Sequence, residues 1–97
     1  AEKTSRLTVS HSDRRGFWDG QLIDLTGAEF ELLALFYANC GEVISRDRIS
    51  IALKGHSASP FDRSVDTLVS RLRRKLKHAS SIDLIRSVRG KGYLFSL

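Results

Sequence analysis

Between residues 62 and 77, Val65, Val69, Leu72 and Leu76 follow one another at spacings of four, three and four, with Leu68 beside them. At about 100° per residue they fall within about 40° of one line, the signature of an α-helix with one apolar stripe. Such a stripe must be buried against other elements, so the segment belongs to a folded core. The opposite side carries Arg63, Thr67, Ser70, Arg71 and Arg74, while Arg73 stands at the edge of the stripe. The expected helix starts near Asp62 or Arg63 and runs to about Lys77.

The rest of the chain must supply that core. With 97 residues, 41% of them hydrophobic, it makes one small domain. No apolar run approaches the roughly 18 residues of a membrane-spanning helix. Residues 1–5 are polar and carry no secretory signal. The single cysteine, Cys40, excludes an internal disulfide and fits a reducing compartment. The cytoplasm is the expected location.

The net charge of +5 is unevenly spread: residues 62–97 hold nine Lys/Arg against three Asp, and residues 1–61 hold seven against eight Asp/Glu. The excess therefore lies in the C-terminal third. A polyanion docking on one face accounts for this, and so does a solvated basic face that serves solubility.

Ahead of the basic third, Leu7 and Val9 alternate with polar residues. Two further strand-like runs, 14–18 and 21–25, flank Asp19-Gly20. An Asp-Gly link favours the tight turn whose twist suits a hairpin, so residues 5–25 are expected to form an antiparallel meander. Thr26-Gly27-Ala28-Glu29 has the spacing of a capping box. The helix after it shows a broad apolar face of Phe30, Leu33, Leu35, Phe36 and Tyr37, and closes at Asn39 and Gly41. Cys40, at that helix end, reads as a small apolar filler. Ser45 caps a second, short helix with Ile49, Ala52 and Leu53 turned inward. Residues 54–61 form a loop with Gly55 and the only proline, Pro60. After the third helix, residues 78–83 turn, and strands at 84–89 and 93–97 flank Gly90-Lys91-Gly92.

Catalysis needs a nucleophile with a base, paired carboxylates or a metal cluster. His11, His56 and His78 are scattered through polar stretches, and no Cys-x-x-Cys, His-x-x-x-His, phosphate loop or Gly-x-Ser-x-Gly occurs. The chain is therefore read as a non-enzyme without metal or cofactor. Duplex recognition fits better. A helix fills the DNA major groove, and an arginine fork pairs two acceptors on guanine. Short Thr67 and Ser70 among the arginines would let the backbone approach base edges. A Gly-Lys-Gly tip beside Arg86 and Arg89 makes a thin basic finger suited to phosphates or a narrow minor groove. Each feature alone also suits an ordinary wet helix or surface hairpin. Together, and in this order, they read as a winged helix-turn-helix.

The pieces that carry a resemblance are Leu25-Thr26 with Glu29-Phe30-Glu31-Leu32-Leu33, then Val43-Ile44-Ser45-Arg46, then Asp62-Arg63-Ser64-Val65-Asp66, then Ser70-Arg71-Leu72-Arg73-Arg74-Lys75-Leu76, and finally Val88-Arg89-Gly90-Lys91-Gly92-Tyr93. In this order and spacing, over about residues 6–96, the chain resembles the C-terminal effector domain of OmpR/PhoB-family response regulators. The resemblance implies an α+β fold: a four-stranded N-terminal antiparallel sheet, three helices and a C-terminal β-hairpin wing. The fourth strand would be the short approach to Thr26. It also implies roles. Arg63 and Ser64 would contact phosphates. Thr67, Arg71 and Arg73 would face the groove, with Arg74 beside them; Ser70, on the same outward face of the helix, is a DNA-binding candidate from its position alone. Arg89 would be the minor-groove arginine, flanked by Ser87 and Lys91 on the backbone. The helical wheel places Arg73 nearer the core than this role requires, so Arg71 is the stronger candidate reader. Leu68 and Ser70 depart from the polar or basic groups common at their positions.

The expected function is sequence-specific binding of double-stranded DNA, as the effector domain of a two-component response regulator controlling transcription. Residues 1–5 would be a linker remnant and 6–97 the domain. The expected partners are direct-repeat DNA sites bound as a tandem dimer, RNA polymerase subunits at loop 54–61, and a receiver domain in the full-length protein. Alone, the domain would be a monomer. Two alternatives stay open: the DNA-binding head of a membrane-anchored or orphan regulator of the same fold, and a basic protein- or RNA-interaction module.

Overall fold

The computed structural model describes residues 6–55 and 63–97. The linker expected at residues 1–5 and most of the expected loop at 54–61 lie outside them. The chain begins as a meander of β1 (Leu7–Ser10), β2 (Arg15–Trp18) and β3 (Gln21–Ile23), paired antiparallel in that order. The β2–β3 turn places Asp19 at φ 51° and Gly20 at φ 82°. Two successive positive φ values match the strand twist, as the Asp-Gly pair predicted. Alternation turns Leu7, Trp18 and Ile23 to the core.

This sheet has three strands, not four. β3 stops at Ile23, and residues 24–26 lead straight into the cap of α1 (Gly27–Ala38). The turn into that cap leaves no length for a strand. The capping box forms as expected: the Thr26 hydroxyl accepts from the Glu29 amide at 3.2 Å, and the Glu29 carboxylate accepts from the Thr26 amide at 2.9 Å. Asn39, at φ −119°, closes the helix without the left-handed conformation expected of it. Its backbone amide and its side-chain amide both donate to the Leu35 carbonyl, the latter at 2.8 Å. Cys40 is exposed and fills no core position.

After α1 comes a strand too short to be read from periodicity, β4 (Val43–Ile44). Then follow α2 (Arg46–Lys54), α3 (Ser64–Ser80), β5 (Ile85–Val88) and β6 (Gly92–Phe95). The wing is therefore a three-stranded sheet, β4-β6-β5, rather than a free hairpin. In α2, Ile49 and Ser50 are buried while Ala52 faces outward, contrary to the inward position expected for it. The third helix continues one turn past Lys77. Ser81, at φ 62°, ends it by donating its amide to the Lys77 carbonyl at 2.7 Å.

The core lies around α1, which packs on α3, α2, β2 and β6. Phe36 of α1 stacks on Phe95 of β6 with ring centroids 5.9 Å apart. Val65, Val69, Leu72 and Leu76 of α3 are all buried, so the stripe does what its spacing demanded. No helix among the described residues is long and apolar enough to cross a membrane.

Candidate nucleic-acid interface

Burying one face of α3 forces the other outward. At 17 residues the helix is about 25 Å long, enough to lie along a DNA groove. Thr67, Ser70, Arg71 and Arg74 are exposed along it, and Arg63 and Ser64 are exposed at its start. Arg63 occupies the cap position and gives the helix no side-chain hydrogen bond. Leu68 is half-buried and packs on the core, so packing accounts for the residue that departs from the family pattern.

Polar contacts at both ends fix the orientation of α3. Near the C-terminal end, the Lys75 ammonium sits 2.6 Å from the carboxylate of Glu29, which is 2% exposed. Burial would raise the Glu29 carboxyl, but the Lys75 ammonium and the Thr26 amide outweigh it and hold it below its ordinary value. The capping box of α1 thus also anchors α3. Near the N-terminal end, Asp66 accepts from Arg46 Nε at 3.0 Å and from the Tyr93 hydroxyl at 2.6 Å. Burial first, and then the Asp66 carboxylate, push the Tyr93 phenol up to about 12.

The cations divide into two groups. Arg6, Arg14, Arg46, Arg48, Arg73, Lys75 and Lys77 each pair with a carboxylate. Arg63, Arg71, Arg74, Arg86, Arg89 and Lys91 are exposed, with no acidic partner among the described residues. All six lie on α3, at its start, or on the wing; Arg15 of β2 is the other described cation of this kind. Arg73 does not join them. It is half-buried, and its Nε lies 3.5 Å from Asp83, which also meets Lys77 at 3.7 Å. Reaching a groove would require Arg73 to leave that pair.

On the wing, Ser87 faces Tyr93 in the β5–β6 register, and Arg89 and Lys91 stand at the exposed tip. They line a surface cleft of about 500 Å³ together with Ser45, Arg46 and Asp47 at the start of α2. Ser70, Arg73 and Arg74 line a separate depression with Lys77 and Asp83. Helix and wing thus offer two basic surfaces rather than one pocket. No group of His, Cys, Asp and Glu among the described residues could hold a metal. Sequence reasoning missed Asp66 and Tyr93. The available signal was a tyrosine in a strand beside the tip, whose hydroxyl needs a partner once its ring is covered.

Residues 20–95 match the family described as "Transcriptional regulatory protein, C terminal". The chain belongs to this family. As an OmpR/PhoB-type effector domain, it is 38% identical over 89 residues to the transcriptional regulatory protein CpxR of Klebsiella pneumoniae, covering 91% of this chain and 38% of that protein. It is 42% identical over 90 residues to GltR of Pseudomonas aeruginosa, covering 92% of this chain and 36% of that regulator. The chain thus spans little more than a third of the length of these relatives. The DNA-binding domain of Klebsiella pneumoniae RstA, solved in complex with the RstA box, superposes on the effector domain with a TM-score of 0.86 at 33% identity. That match covers 98% of this chain and 95% of the RstA chain.

Proposed function

We propose that this chain binds double-stranded DNA sequence-specifically, as the effector domain of a two-component response regulator that controls transcription. In this reading α3 occupies the major groove and the β5–β6 wing the adjacent minor groove. The observation that carries it is the segregation of the cations: among the described cations paired with no internal carboxylate, all but Arg15 gather on α3, at its start, or on the wing. An unpaired arginine is worth little to the fold, whereas a phosphate or a guanine edge completes it. The likeness to a domain solved on its DNA box supports the same reading.

Within it, Arg63 and Ser64 contact phosphates at the start of α3. Thr67, Ser70 and Arg71 face base edges, and Arg74 anchors beside them. Arg73 joins only after leaving Asp83. Arg89 enters the minor groove, with Ser87 and Lys91 on its flanking backbone. The chemistry is binding rather than catalysis. The family resemblance supports the remaining context: residues 6–97 as the domain and 1–5 as linker, a receiver domain in the full-length protein, tandem binding to direct repeats, an RNA-polymerase-facing surface at residues 54–61, and a cytoplasmic location.

Selection from a random-duplex pool tests the proposal. The expected result is an enriched motif, with half-sites repeated head to tail. A pool that binds without enrichment would mean a basic module without base readout, and would refute it.

A further inference from the structure

We propose that Asp66 and Tyr93 form a clamp that sets the wing at a fixed angle to the recognition helix, so that the two basic surfaces meet a duplex as one preorganised unit. The inference rests on the DNA-binding reading and goes beyond it, because neither residue needs to touch DNA to act.

The geometry starts at the wing root. Gly92 begins β6 against β4. A Cβ built at Gly92 would lie 2.1 Å from the Ile44 carbonyl oxygen and 2.8 Å from Ser45 Cα. The strand therefore runs directly against the backbone that leads into α2. The next residue, Tyr93, pairs with Ile44 on one side and Ser87 on the other. Its hydroxyl crosses to α3 and donates to Asp66 Oδ1 at 2.6 Å, the oxygen that also accepts from Arg46 Nε at 3.0 Å. One carboxylate oxygen on the recognition helix thus ties together α3, α2 and the middle strand of the wing.

Asp66 immediately precedes Thr67, the first residue proposed to face bases, and lies on the third residue of α3. Tyr93 sits in the same hairpin as Arg89. The tie therefore joins the reading end of the helix to the strand pair that carries the minor-groove arginine. At the wing tip itself, Lys91 donates its amide to the Val88 carbonyl at 2.9 Å, and a Cβ at Gly90 would meet nothing within 4 Å. With burial and Asp66 together holding its proton, the Tyr93 phenol remains the donor at any neutral pH. A carboxylate accepting from a phenol and an arginine makes charge-assisted bonds, stronger than neutral ones.

The consequence is energetic. A wing that samples several angles must lose that freedom on binding, and the loss appears as weaker affinity. Removing one bond to a charged acceptor shifts such an equilibrium by roughly tenfold. Tyr93→Phe keeps the ring and removes only the oxygen.

Two measurements on the chain decide the matter. Without DNA, residual dipolar couplings of the wing and α3 amides are expected to report one relative orientation in the parent and an averaged one in Tyr93→Phe, with the core couplings unchanged. Couplings identical in both proteins would overturn the clamp. With the selected duplex, the affinity loss from Arg89→Ala is measured in the parent and in Tyr93→Phe. The loss should shrink several-fold in the Tyr93→Phe background, while the loss from Arg71→Ala stays the same. A role limited to stability would leave both losses unchanged at a temperature where each variant is folded, and that outcome also overturns the proposal. A chain that binds no duplex refutes the DNA-binding reading, and the dipolar couplings still decide the clamp.

Discussion

Two glycines two residues apart in the wing should respond very differently to a single added methyl. Gly90 has φ 74° and Gly92 φ 142°, so both occupy backbone conformations that resist an L side chain. Their surroundings differ. At Gly90 a Cβ meets nothing within 4 Å, so Gly90→Ala carries only the conformational cost of about 1–2 kcal/mol. At Gly92 the Cβ would lie 2.1 Å from the Ile44 carbonyl oxygen and 2.8 Å from the Ile44 carbonyl carbon. Both are backbone atoms, and no rotamer change relieves them. β6 must move roughly 1 Å off β4 to restore ordinary contact distances. That movement weakens the Val43–Leu94 and Ile44–Tyr93 pairs and disturbs Phe95, which is fully buried against Phe36. Adding lost packing to backbone strain gives a cost of about 3–4 kcal/mol for Gly92→Ala. Urea unfolding followed by circular dichroism measures both variants. In a domain of 97 residues, each kcal/mol also lowers the melting temperature by about 4–8 °C. Equal losses for the two substitutions would refute the argument that β6 is pressed against β4.

Other consequences follow from the charge pairs. Asp83→Ala frees Arg73 and Lys77, so non-specific duplex affinity should rise and its salt dependence steepen by up to about two units, with stability changed by less than about 1 kcal/mol; a lower affinity or a flatter slope would count against Asp83 as their counter-ion. Because the Glu29 carboxyl is held below its ordinary value when folded, its contribution is complete above about pH 4.5 and is lost as pH falls through the folded value. Acid unfolding of Glu29→Gln should accordingly lack that component, whereas an acid limb unchanged from the parent's would show that Glu29 contributes none of it. Lys75→Ala, which leaves the buried carboxylate without its cation and with Thr26 as its remaining partner, should destabilise by about 2 kcal/mol in urea titration, and a loss near zero would contradict the anchoring of α3 by Glu29.

How far the sequence foretold the molecule depended on distance along the chain. The Asp19-Gly20 turn, the Thr26–Glu29 capping box and the stripe from Val65 to Leu76 are settled by residues within a few positions of each other. All three formed as read. β4 escaped because two residues have no periodicity, and its partner strand lies some fifty positions away. The supposed fourth strand failed for the related reason that residues 24–26 are spent on reaching the cap. Ser81 is not a typical left-handed cap, so the extra turn of α3 left no mark in the sequence. Among the candidate residues, the outward arginines followed from the stripe itself. The Asp83 partner of Arg73 depends on how the chain turns after Ser80, and the Asp66–Tyr93 bond depends on the three-stranded wing. Neither is a local property.

The central claim is that the cations of α3 and the wing that lack an internal carboxylate serve DNA, with Arg71 reading bases and Arg63 anchoring phosphates. Paired affinities of Arg71→Ala and Arg63→Ala, on the selected duplex and on a scrambled one, test it most directly. Arg71→Ala should cost about 1–3 kcal/mol on the selected duplex and far less on the scrambled one. Arg63→Ala should weaken both alike and flatten the salt slope by about one unit. Equal, sequence-independent losses for the two variants would contradict the account.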